Sequence, residues 1–168
     1  MNDDWHLAYL SLGSNIEPEM NLALAFSALR GRFGEVLFSP VYRTAAVGFE
    51  GADFLNAAAI VCTRLGPREL DAWLHACEDA QGRDRGGPRF SDRNIDIDLL
   101  LYDALVLEGP GHLRLPRPEL KHAFVLRPLA DIAPAVAIPG LGRTVMDAWR
   151  AHPEFGTPAE VVDLEPAG

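Results

Sequence analysis

An α+β fold in the order β-α-β-β-α-β is what the first hundred residues of this 168-residue chain predict, followed by a C-terminal extension. Three patterns carry that prediction. Strand-like apolar runs recur at residues 5–12, 35–42, 54–63 and 95–102; the stretches after the first and third keep helical spacing; and glycine or proline punctuates most junctions.

The first strand, residues 5–12, is expected to stop at Gly13-Ser14-Asn15, a turn-forming trio. Glu17-Pro18-Glu19 then opens a helix with acid in its first turn, striped by Leu22, Ala25, Phe26 and Leu29 and ending near Gly31. Residues 35–42 read as the next strand, and a small-residue loop leads from Thr44 to the long apolar strand 54–63. Gly66-Pro67 starts a second helix, with Leu70, Trp73, Leu74 and Cys77 on its apolar face and Gly82 as its stop. After strand 95–102 come a turn at Asp103-Ala104, short strands at 105–107 and 113–115, a short helix at 124–130, and a proline-rich tail with one more helix at 145–150. The order of the first hundred residues is the ferredoxin-like arrangement.

A chain of this length fits one domain, residues 1–168. Fifteen basic residues against 24 acidic ones give a net charge of −9, which argues against nucleic acid or an anionic membrane as partner, since both need a basic face. Cys62 and Cys77 lack metal-ligand spacing and read as buried thiols of a reducing compartment. The N-terminal MNDDWHLAYLSLG carries acid where a signal peptide carries base, and no apolar run nears the ~20 residues of a membrane span, so a cytoplasmic protein is expected.

Against that acidic background, GRDRGGPRFSDRNIDID stands out. Its glycines and proline predict an irregular loop, and Arg83, Arg85, Arg89 and Arg93 concentrate four cations on it, as a small polyanion would require. In the strand that follows, side chains alternate between faces, so Asp96 and Asp98 share one face while Ile95, Ile97 and Leu99 take the other. Two carboxylates roughly 6.5 Å apart repel by about 2–3 kcal/mol at an effective dielectric near 20. A Mg²⁺ ion, which prefers oxygen ligands, removes that cost, and a polyphosphate explains the arginines and the metal together. Asn56 is a lone amide in an apolar strand and needs a hydrogen-bonding partner.

YLSLGSN at 9–15, YRTAAVG at 42–48, DFLNAA at 53–58, the arginine segment with RFSDRNIDIDLLLY at 89–102, and FVLRPLADIAP at 124–134 together resemble the 6-hydroxymethyl-7,8-dihydropterin pyrophosphokinases of folate biosynthesis. The resemblance implies pyrophosphate transfer from ATP to a reduced pterin with two Mg²⁺ ions, in a monomer. It implies that Asp96 and Asp98 hold the metals and that Arg83 and Arg93 contact the phosphates as catalytic residues. Arg85 and Arg89 would close over ATP, with Glu78, Leu99 and Arg117 beside the nucleotide. Thr44, Val47, Phe54, Asn56, Phe90 and Phe124 would line the pterin site, with Asp96 facing it.

Four positions depart from the family pattern: Arg117 stands for a usual histidine, Phe90 for tryptophan, Gly86 for lysine, and His122 lies near the place of an arginine. Arg117 remains a phosphate-binding cation and Phe90 a cover for a flat ring. Gly13-Ser14-Asn15 lacks the full glycine pattern of a phosphate loop and reads as a structural turn near the site. The five histidines show no metal-ligand spacing, although His75 and His122 fall near the expected cleft. Two rivals are a nucleotide sensor using the same arginines without transfer, and an RNA-binding domain of like fold, which the acidic balance disfavours.

Overall fold

A computed structural model describes residues 4–45, 51–82 and 94–164. Arg83, Arg85, Gly86, Arg89, Phe90, Arg93 and Val47, with the loop assigned to the arginines, lie outside the described residues. The elements of the core are β1 (His6–Ser14), α1 (Pro18–Phe33), β2 (Leu37–Phe38), β3 (Val41–Thr44), β4 (Phe54–Thr63), α2 (Pro67–Ala80) and β5 (Asp96–Tyr102). After them come β6 (Leu107–Glu108), β7 (Arg114–Leu115), a 3₁₀ turn at Pro118–Lys121, α3 (Ala123–Ile132), β8 (Ala137–Ile138), β9 (Arg143–Thr144), α4 (Val145–Arg150) and β10 (Glu160–Val162).

The main sheet is antiparallel, with β10, β3, β4, β1 and β5 side by side and β2 paired to β4. Its central order β3-β4-β1-β5 is the one the ferredoxin-like prediction requires. Alternation sorts the side chains. Ala8, Leu10 and Leu12 of β1, Leu55, Ala57, Ala59 and Val61 of β4, and Ile97 and Leu99 of β5 point to one face, where they pack against Leu22, Ala25 and Leu29 of α1 and Leu70 and Leu74 of α2. Tyr9, Ala58, Leu100 and Leu101 point the other way, onto α3 and α4. The extension therefore turns a two-layer fold into three layers by covering the second face with α3 and α4.

Several boundaries differ from the sequence prediction. β1 does not stop at Leu12: Gly13 and Ser14 continue the ladder opposite Asn56 and Leu55 of β4, and Gly13 also pairs with Asp96 of β5. A turn-forming composition yields here to neighbours on both sides that satisfy the backbone. The strand expected over 35–42 is split into β2 and β3 at Ser39-Pro40, where Pro40 has no N–H for a ladder. α1 runs on to Phe33, and Gly34 at φ 79° ends it by donating to the Arg30 carbonyl, 2.9 Å away. β10 was not visible in the tail pattern; it pairs with β3 at the sheet edge. Cys62 is exposed, contrary to the buried thiol expected, because the far end of its strand face is left uncovered.

The pairing of β1 with β5 shifts between Tyr9 and Leu10, so Leu99 and Leu101 face consecutive β1 residues and Leu100 is the extra residue of a bulge. The bulge sends Leu100 and Leu101 into the α3 layer while Ile97 and Leu99 stay in the α1/α2 layer. The Leu100 carbonyl accepts the Arg117 N–H at 3.0 Å, tying the segment after β7 to β5.

Candidate functional site

The sheet register builds the site in one row. Tyr42 pairs with Asn56, Asn56 with Gly13, and Gly13 with Asp96, so these four lie side by side across β3, β4, β1 and β5. Asn56 and Asp96 are thus separated by two strand spacings, roughly 9.5 Å between backbones, with only a glycine between them. An ideal Cβ on Gly13 would sit 2.9 Å from the Asn56 amide oxygen, a contact that would force the amide aside. Sequence reasoning treated Gly13 as a turn residue; its signal was a glycine inside a strand pattern, which marks a close approach.

Asn56 is buried, 4% exposed, and its Nδ2 donates to Thr44 Oγ1 at 2.6 Å. Phe54, half-buried, opens the same strand opposite Thr44, and Phe124, also half-buried, stands at the start of α3 with its ring stacked on His122 at 5.0 Å. The structure therefore brings together Thr44, Phe54 and Asn56. Thr44 and Phe124 also line a cavity of about 380 Å³ that continues toward Tyr42, Arg127 and Trp149. Burial first, then the short hydrogen bond donated to Asp131, pushes the Tyr42 hydroxyl up to about 12. Burial, then the charge of Lys121, holds the His122 imidazole below its usual value.

At the other end of the row, Asp96 and Asp98 sit half-buried on β5, with Asp98 opposite Ser11. Glu78, fully buried at the end of α2, bends around the open edge of β5 and accepts the Ile97 N–H at 2.6 Å. One carboxylate oxygen from each of Glu78, Asp96 and Asp98 falls within 4.8 Å of the others. Three converging carboxylates offering oxygen donors only are the donor set that a hard divalent ion such as Mg²⁺ prefers. Glu78 was expected beside the nucleotide; its position within this cluster depends on the helix reaching round the strand edge, which no sequence spacing displays.

Arg117 closes the cluster from outside. Its Nη2 lies 3.3 Å from Asp98 Oδ1 and its Nε donates to Glu119 Oε2 at 2.6 Å. Burial alone would lower this guanidinium, yet the charge of Asp98, then the hydrogen bond and charge of Glu119, leave it raised above its ordinary value and fully cationic. Leu99 is different. Its side chain is wholly buried in the α1/α2 layer, so the nucleotide role expected of it cannot come from that side chain.

Buried polar residues that sequence reasoning read as a local turn hold the frame. Ser14 Oγ donates to the Asn94 carbonyl at 2.5 Å, and Asn94 Nδ2 donates to the Gln81 carbonyl at 2.8 Å. The end of α2, the start of β5 and the end of β1 are thereby pinned at one point.

An antiparallel sheet whose edge strand gathers three carboxylates and a guanidinium, two strands from a buried amide, is a site of the class that binds a metal-complexed anion beside a polar ligand. Residues 9–134 match the 7,8-dihydro-6-hydroxymethylpterin-pyrophosphokinase family. The chain is 35% identical over 158 residues to the 2-amino-4-hydroxy-6-hydroxymethyldihydropteridine pyrophosphokinase of Porphyromonas gingivalis, covering 90% of this chain and 97% of that one. To the enzyme of the same name from Pseudomonas aeruginosa it is 36% identical over 154 residues, covering 88% and 93%. A solved Plasmodium falciparum HPPK-DHPS shares the fold, with a TM-score of 0.69 at 13% identity over 89% of this chain, which spans 45% of that longer chain. The chain belongs to the 6-hydroxymethyl-7,8-dihydropterin pyrophosphokinase family. It is an ATP-dependent pyrophosphokinase that transfers pyrophosphate from ATP to hydroxymethyldihydropterin in folate biosynthesis.

Proposed function

We propose that the two ends of the Tyr42–Asn56–Gly13–Asp96 row divide the work of this reaction. Asn56, Thr44 and Phe54, with Phe124, Val47 and Phe90, hold the pterin; Asp96 and Asp98, backed by Glu78, hold two Mg²⁺ ions; and Arg83, Arg85, Arg89, Arg93 and Arg117 grip ATP. The observation that carries this reading is the row itself. A flat bicyclic ring bonded to Asn56 can lie over Gly13, where no side chain intervenes, and point its hydroxymethyl arm at Asp96.

In that placement the hydroxymethyl oxygen attacks the β-phosphorus of ATP and gives up its proton to solvent, the bond from that phosphorus to the bridging oxygen of AMP breaks, and AMP leaves. Bound Mg²⁺ would supply charge neutralisation on the phosphates. The residues of the chain do the rest by position. Asn56 and Thr44 orient the ring, the aromatic side chains exclude water from its faces, and the guanidiniums take up the charge that spreads toward AMP. Arg117, already held by Asp98 and Glu119, is poised to exchange an intramolecular carboxylate for a phosphate.

We assign the reaction to a cytoplasmic monomer in which residues 1–168 form one pyrophosphokinase domain, with ATP and a reduced pterin as its ligands and no nucleic-acid or membrane partner, in keeping with the net charge of −9. The test is AMP formation from ATP. It should require both the reduced pterin and Mg²⁺, and should be lost in Asp96→Ala and in Asp98→Ala. Mg²⁺-dependent AMP formation at the wild-type rate in either variant would remove that carboxylate from the metal site.

A further inference from the structure

A second group of potential metal ligands lies on α2 away from the three-carboxylate cluster: Asp71, His75 and His112. Asp71 and His75 stand one helical turn apart on the same face of α2. His112 arrives from the segment between β6 and β7, where Gly111 at φ 97° passes against the Arg68 side chain and turns the chain onto the helix. No spacing in the sequence links His112 to His75, 37 residues earlier; only the packing of that segment on α2 does.

The geometry is convergent. His112 Nε2 lies 3.0 Å and His75 Nδ1 3.8 Å from the same oxygen, Asp71 Oδ2. The two imidazoles stack with centroids 5.5 Å apart and planes at 29°, and one donor atom from each of the three residues falls within 4.8 Å of the others. A tetrahedral ion with bonds of about 2.0–2.1 Å holds its ligands roughly 3.3–3.4 Å from one another. The observed separations from Asp71 bracket that value, so small side-chain rotations bring the set to it. Asp71 is 5% exposed, whereas the His112 side chain is 70% exposed, which leaves an open side for water ligands.

The donor types separate this group from the three carboxylates. Two imidazoles and one carboxylate suit Zn²⁺ and the later first-row divalent ions, and poorly suit Mg²⁺. Two protonated imidazoles stacked on one carboxylate would repel each other, while two neutral ones can both turn a nitrogen lone pair to a cation. We propose that Asp71, His75 and His112 form a binding site for a zinc-class divalent ion that clamps the 109–117 segment onto α2. That segment carries Arg117, so the clamp would steady the guanidinium that meets Asp98 without the ion itself touching the reacting atoms.

Cobalt(II) titration of the full chain in excess Mg²⁺ tests this, because Co²⁺ reports nitrogen ligation by visible absorption and substitutes for Zn²⁺. One Co²⁺ per chain should give a visible band that Zn²⁺ displaces. His112→Ala and His75→Ala should each weaken Co²⁺ affinity at least about tenfold, whereas Asp96→Ala and Asp98→Ala should leave the band intact. Zn²⁺ should raise the melting temperature of the wild type and not that of His112→Ala, each read against its own metal-free value because the variant also loses the 3.0 Å contact with Asp71. Absence of the band in wild type, its persistence in His112→Ala, or its loss in the Asp96 and Asp98 variants alone would overturn the proposal and leave Asp71 with an ion pair to histidine only.

Discussion

Replacing Asn56 by alanine should separate the two ligands of this enzyme. The side chain is 4% exposed, and its amide donates to Thr44 Oγ1 at 2.6 Å while its oxygen faces the bare backbone of Gly13. Deleting it leaves the Thr44 hydroxyl without that donor and leaves a void beside β1. Loss of a buried hydrogen-bond partner costs about 1–3 kcal/mol. On the bound pterin the same loss corresponds to a dissociation constant raised about 5- to 150-fold. On stability it corresponds to a melting temperature lower by about 2–12 °C for a domain of this size. The carboxylate cluster lies across Gly13 from Asn56, two strands away, so affinity for a non-hydrolysable ATP analogue should change less than about twofold. Calorimetric titration of each ligand into wild type and variant, with melting curves beside them, measures all three. Equal losses for pterin and nucleotide, or an unchanged pterin constant, would refute the placement of Asn56 in the pterin cleft.

The aspartates should part company in stability. Asp96→Ala removes one of three carboxylates that repel within 4.8 Å and should leave the melting temperature unchanged or higher, whereas Asp98→Ala strips Arg117 of a partner at 3.3 Å and should cost about 1 kcal/mol, roughly 2–4 °C in a thermal melt. Mutual repulsion alone would leave both variants at full stability; the ion pair with Arg117 is what sets Asp98 apart. Gly13→Ala should raise the pterin dissociation constant more than that for nucleotide, since its Cβ meets Asn56 Oδ1 at 2.9 Å; identical titrations for variant and wild type would show that the amide moves aside freely. Tyr42 titrates at about 12 in the fold against about 10 when unfolded, so the unfolded chain loses its proton first and stability should fall as pH rises from about 10 to 12. Ultraviolet phenolate titration and alkaline unfolding should both show that component, and Tyr42→Phe should lack it.

Much of the fold could be read along the chain because its signals are local. The strand-like apolar runs at 54–63 and 95–102, the helix opened by Gly66-Pro67 and the small helix at 145–150 all appear where their patterns place them, because an apolar run or stripe marks the side chains an element must bury. Alternation likewise put Asp96 and Asp98 on the face opposite Ile97 and Leu99, and the lone amide of Asn56 announced a buried polar contact, met by Thr44.

What the chain could not show without its fold is who stands beside whom across strands. Gly13 looked like a turn residue until β4 and β5 flanked it, and only that register sets Asn56 and Asp96 in one row. Glu78 reaches the aspartates round an open sheet edge, Arg117 reaches Asp98 from a different segment, and His112 reaches Asp71 across α2. Leu99 shows the converse: adjacency to the aspartate pair in sequence places its side chain in the core, not at the site. Local periodicity fixes the orientation of a side chain within its own element, but register, edge exposure and loop return arise from pairings between residues far apart in the chain, and those are settled only when the whole hydrophobic face of each strand and helix finds its partner.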